Sequence, residues 1–151
     1  MDAKRIVVKV GSSTLTGDAG TSLNGSAVTK LVDVVANLKG QGKEVIIVTS
    51  AAIAAGRAPL GVTQRPTDLA TQQASASVGQ GLLIAKYSAE FTRHNIVASQ
   101  VLVTGDDLAR DLHKENAKRT LLRLLELGVV PIINENDSVG TEEIRLGDND
   151  R

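Results

Sequence analysis

The segment EVIIVTSAAIAAGR, residues 44–57, combines the features that decide the fold. Its first six residues are apolar almost throughout, which is typical of a strand that a sheet buries on both faces. Ser50 then begins a turn into a short helix of small residues. Three further runs have the same strand-like composition: RIVVKV (5–10), IVASQVLV (96–103) and VVPIIN (129–134).

Helical patterns lie between these runs. From Asn24, a suitable N-cap, apolar residues recur at helical spacing until a pair of glycines ends the segment. A second helix is predicted to start near Thr67 or Asp68 and to run towards Arg93. Tyr87 and Phe91 lie one turn apart in it, so we expect them to pack together rather than to line a ligand site.

A third helix is predicted over residues 106–127, with Thr104 as its N-cap. Strands and helices therefore alternate along the chain, a pattern that favours right-handed crossovers between parallel strands. The sequence predicts an α/β fold: a three-layer αβα sandwich with a mainly parallel central sheet.

The composition limits the classes of function. Seventeen basic and seventeen acidic residues cancel, so no strong field attracts nucleic acid or an anionic membrane. The absence of cysteine excludes disulfides, thiolate metal sites and a cysteine nucleophile. No signal peptide and no apolar stretch of about 18 residues is found. We expect one domain over residues 1–151, cytoplasmic, with a small-molecule partner and with neither nucleic acid nor membrane as a partner.

Chemically active side chains follow the predicted strands at their carboxyl ends, where open parallel sheets bind ligands. Lys9 lies in the first strand, and a buried strand would not tolerate its ammonium without an anionic partner. Gly11 and Ser50 follow the first and second strands, and Asn134 ends the fourth. Two structural alternatives stay open: Gly11 permits a tight turn, and Ser50 caps a helix that starts at Ala51.

The last segment of the sequence is rich in carboxylates and amides. Three aspartates recur beside three asparagines: Asp137, Asp148 and Asp150 beside Asn134, Asn136 and Asn149. This grouping suits an ammonium group or a metal-bound phosphate, although a solvated loop has a similar composition. Neither histidine has a further ligand at suitable spacing, so no metal site held by the protein alone is predicted. Walker A and G-x-G-x-x-G fingerprints are absent as well.

Five segments resemble, in order, the signature segments of the glutamate 5-kinase family, which has the amino-acid kinase fold. The resemblance extends over almost the whole chain, and INEND followed by GDND is typical of this family rather than of acetylglutamate, aspartate, carbamate or uridylate kinases. It implies transfer of the γ-phosphoryl group of ATP, with Mg²⁺, to the γ-carboxylate of L-glutamate in proline biosynthesis. The segments are VVKVGSSTLT (7–16), IVTSAAIAAGR (47–57), SVGQGLLIAKY (77–87), VPIINENDSV (130–139) and EIRLGDND (143–150).

The resemblance also implies roles for individual residues. Ser50, Asp137 and Asn149 match positions that bind glutamate, with Asp148 beside them and Asn134 in the same cluster. These carboxylates and amides would hold the ammonium group of the substrate and fix its orientation.

A second group of positions matches the part of the family site that meets phosphate. Lys9 would offset the charge that spreads over the transferred phosphoryl group. Asp150 would orient the catalytic lysines, and backbone N–H groups at Gly11 and Ala51 would approach the phosphate.

The chain departs from the family pattern at Ala51, where the family usually has glycine in TSGAIAAG. If the backbone there needs a positive φ or a very close phosphate, the added Cβ costs about 1 kcal/mol or more.

A second departure concerns extent, because the resemblance reaches only the N-terminal, glutamate-binding portion of the family. We therefore expect a truncated fold that lacks the nucleotide-binding portion and does not turn over ATP alone. The resemblance further implies a homo-oligomer and L-proline as feedback inhibitor. Two other readings remain: a non-catalytic module that binds glutamate or proline, and a different amino-acid kinase.

Overall fold

A computed structural model describes residues 3–16, 23–104 and 109–135 of the chain. Four strands, all parallel, form a sheet in the order β1-β2-β4-β3. The first two strands have the predicted limits, and the other two begin slightly later than predicted. The strands are Arg5–Val10 (β1), Glu44–Thr49 (β2), Ala98–Val103 (β3) and Val130–Glu135 (β4).

Five helices connect or flank these strands in the described part of the chain. The longest has 24 residues, but no helix of the described segments combines the length and apolar composition that a membrane crossing requires. The helices are Ser12–Leu15 (α1), Gly25–Gly40 (α2), Ala52–Arg57 (α3), Leu69–Thr92 (α4) and Asp111–Glu126 (α5).

The helices form a layer on each face of the sheet. The chain moves in one direction across the sheet from β1 to β2 to β3, and then returns to β4, so right-handed crossovers put α2 and α4 on one face and α5 on the other. In agreement, α2 packs against α4 and β2, α4 packs against β3, and α5 packs against β4. The predicted α/β, three-layer architecture is confirmed. We call the face under α2 and α4 the inner face and the opposite face the outer face.

The hydrophobic core lies between the inner face and the two helices α2 and α4. Tyr87 and Phe91 are fully buried in it, with ring centroids 6.4 Å apart and ring planes 18° from parallel. The prediction that these two rings pack together is confirmed. The aliphatic core residues are Val10, Leu15, Val28, Val32, Val35, Val45, Ile47, Ala51, Leu83, Val130 and Ile132.

Burial of every strand on both faces was predicted, and this is wrong for the two edge strands of the described sheet, β1 and β3. In β3 the side chains of Gln100 and Leu102 are exposed. In β1 exposed residues alternate with partly or fully buried ones, and Val7 on the outer face is 59% exposed. In the described sheet β1 is an edge strand, and α5 packs against β4 on the far side of β2. The apolar run RIVVKV therefore does not have two covered faces.

The predicted helix starts are confirmed for α2 and α4. The side-chain oxygen of Asn24 accepts a hydrogen bond from the backbone N–H of Ala27, 3.2 Å away. Asp68 accepts from the backbone N–H of Thr71 at 2.9 Å and from its hydroxyl at 2.6 Å, and these bonds lower the pKa of Asp68. Both caps satisfy N–H groups that have no partner within their helix.

The predicted third helix is not continuous. The backbone of Arg110 is extended, with φ −97° and ψ 123°, and helix α5 begins at Asp111. The prediction of a single helix over 106–127 is therefore wrong. Residues 105–108 lie outside the described part of the chain, so the start near residue 106 and the N-cap at Thr104 stay predictions.

Glu90 ties α4 to α2 through a set of charged and polar contacts. Its carboxylate accepts hydrogen bonds from Lys86 Nζ at 2.9 Å and from the Thr29 hydroxyl of α2 at 2.8 Å, and it also accepts one from Arg93. The bond from Lys86 is the largest cause of a pKa that falls from 4.5 to about 2. Glu90 is 7% exposed, so its charge is held in place by these three donors.

Protonation of Glu90 is expected to weaken the fold in acid. Because its pKa is depressed in the folded state, its stabilising contribution is complete above its ordinary pKa of 4.5 and disappears as the pH falls towards about 2. At neutral pH the Glu90→Gln variant should unfold at a lower urea concentration than the unsubstituted chain. Below pH 4.5 the stability of the variant should fall less steeply with decreasing pH than that of the unsubstituted chain. Glu126→Gln is the control, since its ion pair with Arg123 is largely exposed and contributes little. Equal pH profiles for Glu90→Gln and the unsubstituted chain would contradict this expectation.

Helices α3 and α4 approach each other closely through glycine. A Cβ added to Gly56 would overlap the carbonyl oxygen of Ser75 and lie 2.9 Å from the backbone nitrogen of Gly79. A Cβ added to Gly79 would in turn overlap the carbonyl oxygen of Ala52. The two backbones are thus in direct contact, and this contact fixes α3 at the end of β2.

Candidate functional site

The carboxyl ends of β1, β2 and β4 lie side by side at one edge of the sheet. Val10, the last residue of β1, pairs with Thr49 at the end of β2. Val48 pairs with Ile133 of β4, so the next residues, Thr49 and Asn134, are also neighbours. The structure therefore brings the segments that follow these three strands to one place, as the sequence predicts.

Lys9 lies next to this edge, but not in the environment that was predicted. It is exposed on the outer face of β1, so the argument that a buried ammonium needs an anionic partner is wrong. The reason is again that β1 is an edge strand in the described sheet. Lys9 does make an interaction with another residue, and its position beside the strand end keeps it a candidate for contact with phosphate.

Ser50 follows β2 and precedes α3 without capping it. The first helical residue is Ala52 and the N-cap position is Ala51, which has no polar side chain. The alternative that Ser50 caps a helix starting at Ala51 is therefore wrong. Ser50 is partly buried at the sheet edge, and its contact with a ligand stays a prediction.

The backbone of Ala51 does not require glycine. Its φ is −98° and its ψ is 6°, a conformation that L-residues adopt, so the strain that a positive φ would cause is absent. Its side chain is fully buried and belongs to the hydrophobic core. The alanine at this position therefore contributes packing rather than strain.

The Ala51→Gly variant is consequently expected to lose about 1 kcal/mol of stability, through one buried methyl group and a more flexible backbone. Glycine gains no advantage as an N-cap here, because the residue lacks the extended conformation of a cap. Gly11→Ala is the control: φ at Gly11 is −74°, and an added Cβ would meet no atom within 4 Å. Urea unfolding measures both, and a more stable Ala51→Gly variant would contradict the packing role.

Asn134 is a buried polar residue of this edge. It ends the predicted fourth strand, lies within β4 and is 4% exposed, and it makes an interaction with another residue. Its neighbour Thr49 is 1% exposed and was not singled out from the sequence, although a threonine at the end of an otherwise apolar strand is a weak signal of this kind.

The remaining predicted site residues lie outside the described part of the chain. They are Asp137, Asp148, Asn149 and Asp150, and their roles stay predictions. Within residues 3–16, 23–104 and 109–135, no group of three or more histidine, aspartate or glutamate side chains could hold a metal ion. His94 of this part contacts Asp33, with Nε2 and Oδ1 2.9 Å apart.

The family model and the most similar curated proteins that were compared agree on one family. Residues 4–151 match the model of the amino acid kinase family. The glutamate 5-kinases of Thermobifida fusca and Salinispora arenicola are each 60% identical to this chain over 149 residues, which is 99% of the chain. The chain spans 38% and 40% of the lengths of these two relatives. The glutamate 5-kinase of Clavibacter michiganensis is 53% identical, and the chain spans 56% of it.

A solved structure supports the same fold. The crystal structure of UMP kinase from Bacillus anthracis matches with a TM-score of 0.55 over 86% of this chain and 52% of that one. The sequences are 16% identical, so this similarity concerns the fold alone.

Proposed function

The chain belongs to the amino acid kinase family, and we propose that it forms the amino-acid-binding part of a glutamate 5-kinase. The observation that carries the proposal is the 60% identity, over nearly the whole chain, to proteins of that name. The reaction would transfer the γ-phosphoryl group of ATP to the γ-carboxylate of L-glutamate, giving L-glutamyl 5-phosphate for proline biosynthesis.

This reaction requires the protein to position the two substrates and to stabilise the charge that develops on the transferred group. The acceptor carboxylate is ionised at neutral pH and needs no general base, so its oxygen attacks the γ-phosphorus as the bond to the ADP oxygen breaks. In the proposal Ser50, Asn134, Asp137 and Asn149, with Asp148, hold the amino acid, because carboxylates and amide oxygens complement an ammonium group. Their grouping at one sheet edge supports this for Ser50 and Asn134.

The transferred phosphoryl group would lie at the carboxyl end of the neighbouring strand, β1. Lys9 would offset negative charge on the transferred group, Gly11 and Ala51 would offer backbone N–H groups, and Asp150 would orient the lysine. Mg²⁺ would arrive with ATP and neutralise part of the charge of its phosphates. The open space around a Cβ at Gly11 supports this role, since the fold itself gives no steric reason for glycine there.

Ser50→Ala is expected to weaken L-glutamate binding about fivefold, the effect of one hydrogen bond between a neutral donor and the ligand. Ser77→Ala, on an exposed turn of α4, is the matched control and should bind normally. Isothermal titration measures both affinities. Equal affinities of the two variants would remove Ser50 from the site.

A ligand panel separates the proposal from its alternatives. L-Glutamate, and L-proline as a competitor, should raise the melting temperature of the chain, whereas N-acetyl-L-glutamate, L-aspartate, carbamate and UMP should not. Stabilisation by one of the latter ligands instead would favour a different kinase of the family. The panel uses binding alone, so it does not depend on turnover of ATP.

A further inference from the structure

The turn between β2 and α3 carries Ser50, and the residues on both sides of Ser50 are buried. Thr49 is 1% exposed, and Ala51 and Ala52 are fully buried, whereas Ser50 is only partly buried. After Ser50, the carbonyl oxygen of Ala52 lies so close to Gly79 of α4 that a Cβ there would overlap it. This contact holds the turn on the side of α3, and Thr49 is the residue that enters the turn from β2.

Thr49 and Tyr87 of α4 line one narrow space between α4 and the inner face of the sheet. The apolar side chains of Leu83 and Ile132 line it as well. Tyr87 is fully buried, and both hydroxyl oxygens are buried too. Because the free surface of the space is apolar, neither hydroxyl faces it. Each hydroxyl is therefore enclosed by atoms of the protein.

The two hydroxyls are close enough for a hydrogen bond. Burial raises the pKa of Tyr87 to about 12, and a hydrogen bond with the Thr49 hydroxyl opposes this rise. The phenol therefore keeps its proton at neutral pH. A hydroxyl is both a donor and an acceptor, so two neutral hydroxyls can satisfy each other, whereas a buried hydroxyl without a partner costs stability.

Other polar side chains do not compete for these two hydroxyls. In residues 3–16, 23–104 and 109–135, neither hydroxyl has a further hydrogen-bond partner. Gln80 and Asn134 line the same space, but each makes its interaction with another residue. The hydroxyls of Thr49 and Tyr87 are thus the partners available to each other.

We infer that the hydroxyls of Tyr87 and Thr49 form a hydrogen bond that ties the end of β2 to α4 and thereby positions Ser50 for the amino acid. Both are positioning residues, because they are buried and act through the backbone of the turn. With Thr49 tied to Tyr87 and Ala52 held at Gly79, the residues between them have little freedom, and such preorganisation favours binding. The identity of the ligand rests on the proposed function, whereas the hydrogen bond does not.

Single-atom variants test the hydrogen bond with minimal disturbance. Tyr87→Phe removes one oxygen and keeps the ring that packs on Phe91. Thr49→Val keeps the branched shape and removes the other hydroxyl, and Thr49→Ser keeps that hydroxyl. Ser99→Ala is the matched control, because the Ser99 hydroxyl is also buried and without a partner in the described residues. Ser99 pairs with Pro131, so its side chain lies on the outer face, away from Tyr87.

Proton nuclear magnetic resonance measures the hydrogen bond directly, since the chain has one tyrosine and its hydroxyl signal is unambiguous. Exchange of the Tyr87 hydroxyl proton with water should be about fivefold faster in Thr49→Val than in the unsubstituted chain, the effect of one lost hydrogen bond. It should be unchanged in Thr49→Ser and in Ser99→Ala. Equal exchange in Thr49→Val and the unsubstituted chain would overturn the hydrogen bond.

Titration with L-glutamate measures the positioning role. Tyr87→Phe and Thr49→Val should each bind about fivefold more weakly, and Thr49→Ser and Ser99→Ala should bind normally. The double variant of Tyr87→Phe and Thr49→Val should bind no more weakly than either single variant, because both remove the same bond. A double variant weakened by the product of the single effects would overturn the pairing. Normal affinity of Tyr87→Phe, even at a lower melting temperature, would overturn the positioning role.

Failure of the proposed function gives a different result. If the unsubstituted chain binds no glutamate, the proposed function fails for this chain, and the positioning role fails with it. The exchange of the Tyr87 hydroxyl proton then still decides whether the hydrogen bond between α4 and the end of β2 exists.

Discussion

Replacing Gly79 by alanine is expected to lower the free energy of unfolding by about 3 kcal/mol, at the upper end of the range for overpacking. The added Cβ would overlap the carbonyl oxygen of Ala52 and lie 2.8 Å from the backbone nitrogen of Gly56. Both are backbone atoms of α3, so no side-chain rotation relieves the overlap and the two helices must separate. Because α3 begins two residues after Ser50, the separation should also weaken glutamate binding.

The control for this variant lies two residues further along the same helix. Gly81 is exposed, and an added Cβ there would meet no atom within 4 Å. Gly81→Ala should therefore stabilise α4 by about 1 kcal/mol through helix propensity alone. Urea unfolding followed by circular dichroism compares the two variants. Similar midpoints would contradict the close contact between α3 and α4.

Replacing Asp137 by asparagine is expected to weaken L-glutamate binding about 10- to 100-fold, the effect of losing a hydrogen bond between charged groups. In the proposed site the carboxylate of Asp137 meets the ammonium group of the amino acid, and asparagine keeps the shape but removes the charge. Asp33→Asn is the control, since Asp33 lies half-exposed on α2 and contacts His94 and Arg93. A normal affinity of Asp137→Asn, measured by titration calorimetry, would exclude this residue from binding the ammonium group.

Local sequence signals predicted much of the fold. Runs of β-branched residues marked β1 and β2 with their observed limits, and Asn24 and Asp68 marked two helix starts because capping is a contact within four residues. The interruption at Arg110 was missed because neither glycine nor proline marks the extended backbone there. Only the structure shows where that helix is interrupted.

Properties that depend on strand order could not be predicted in this way. The composition of RIVVKV is that of a central strand, yet β1 lies at the edge of the described sheet and Lys9 is exposed. The order β1-β2-β4-β3 arises from long-range pairing, which the local pattern does not contain. The predicted grouping of Gly11, Ser50 and Asn134 was correct because it needs only a parallel sheet.

The surroundings of Asn134 depend on still more distant contacts. Tyr87 was correctly predicted to pack on Phe91, but it lies near Thr49 and Asn134 only because α4 crosses the sheet at the ends of β2 and β4. No spacing within the sequence connects Thr49, Tyr87 and Asn134. Their proximity follows from strand register and helix packing together.

Titration calorimetry of the purified chain with L-glutamate tests the central claim, that the sheet edge at Ser50 and Asn134 is an amino-acid site, most directly. We expect saturable binding with one glutamate per chain, displaced by L-proline and weakened in Ser50→Ala. No binding by a chain that circular dichroism shows to be folded would contradict the claim, as would binding that Ser50→Ala and Asp137→Asn leave unchanged.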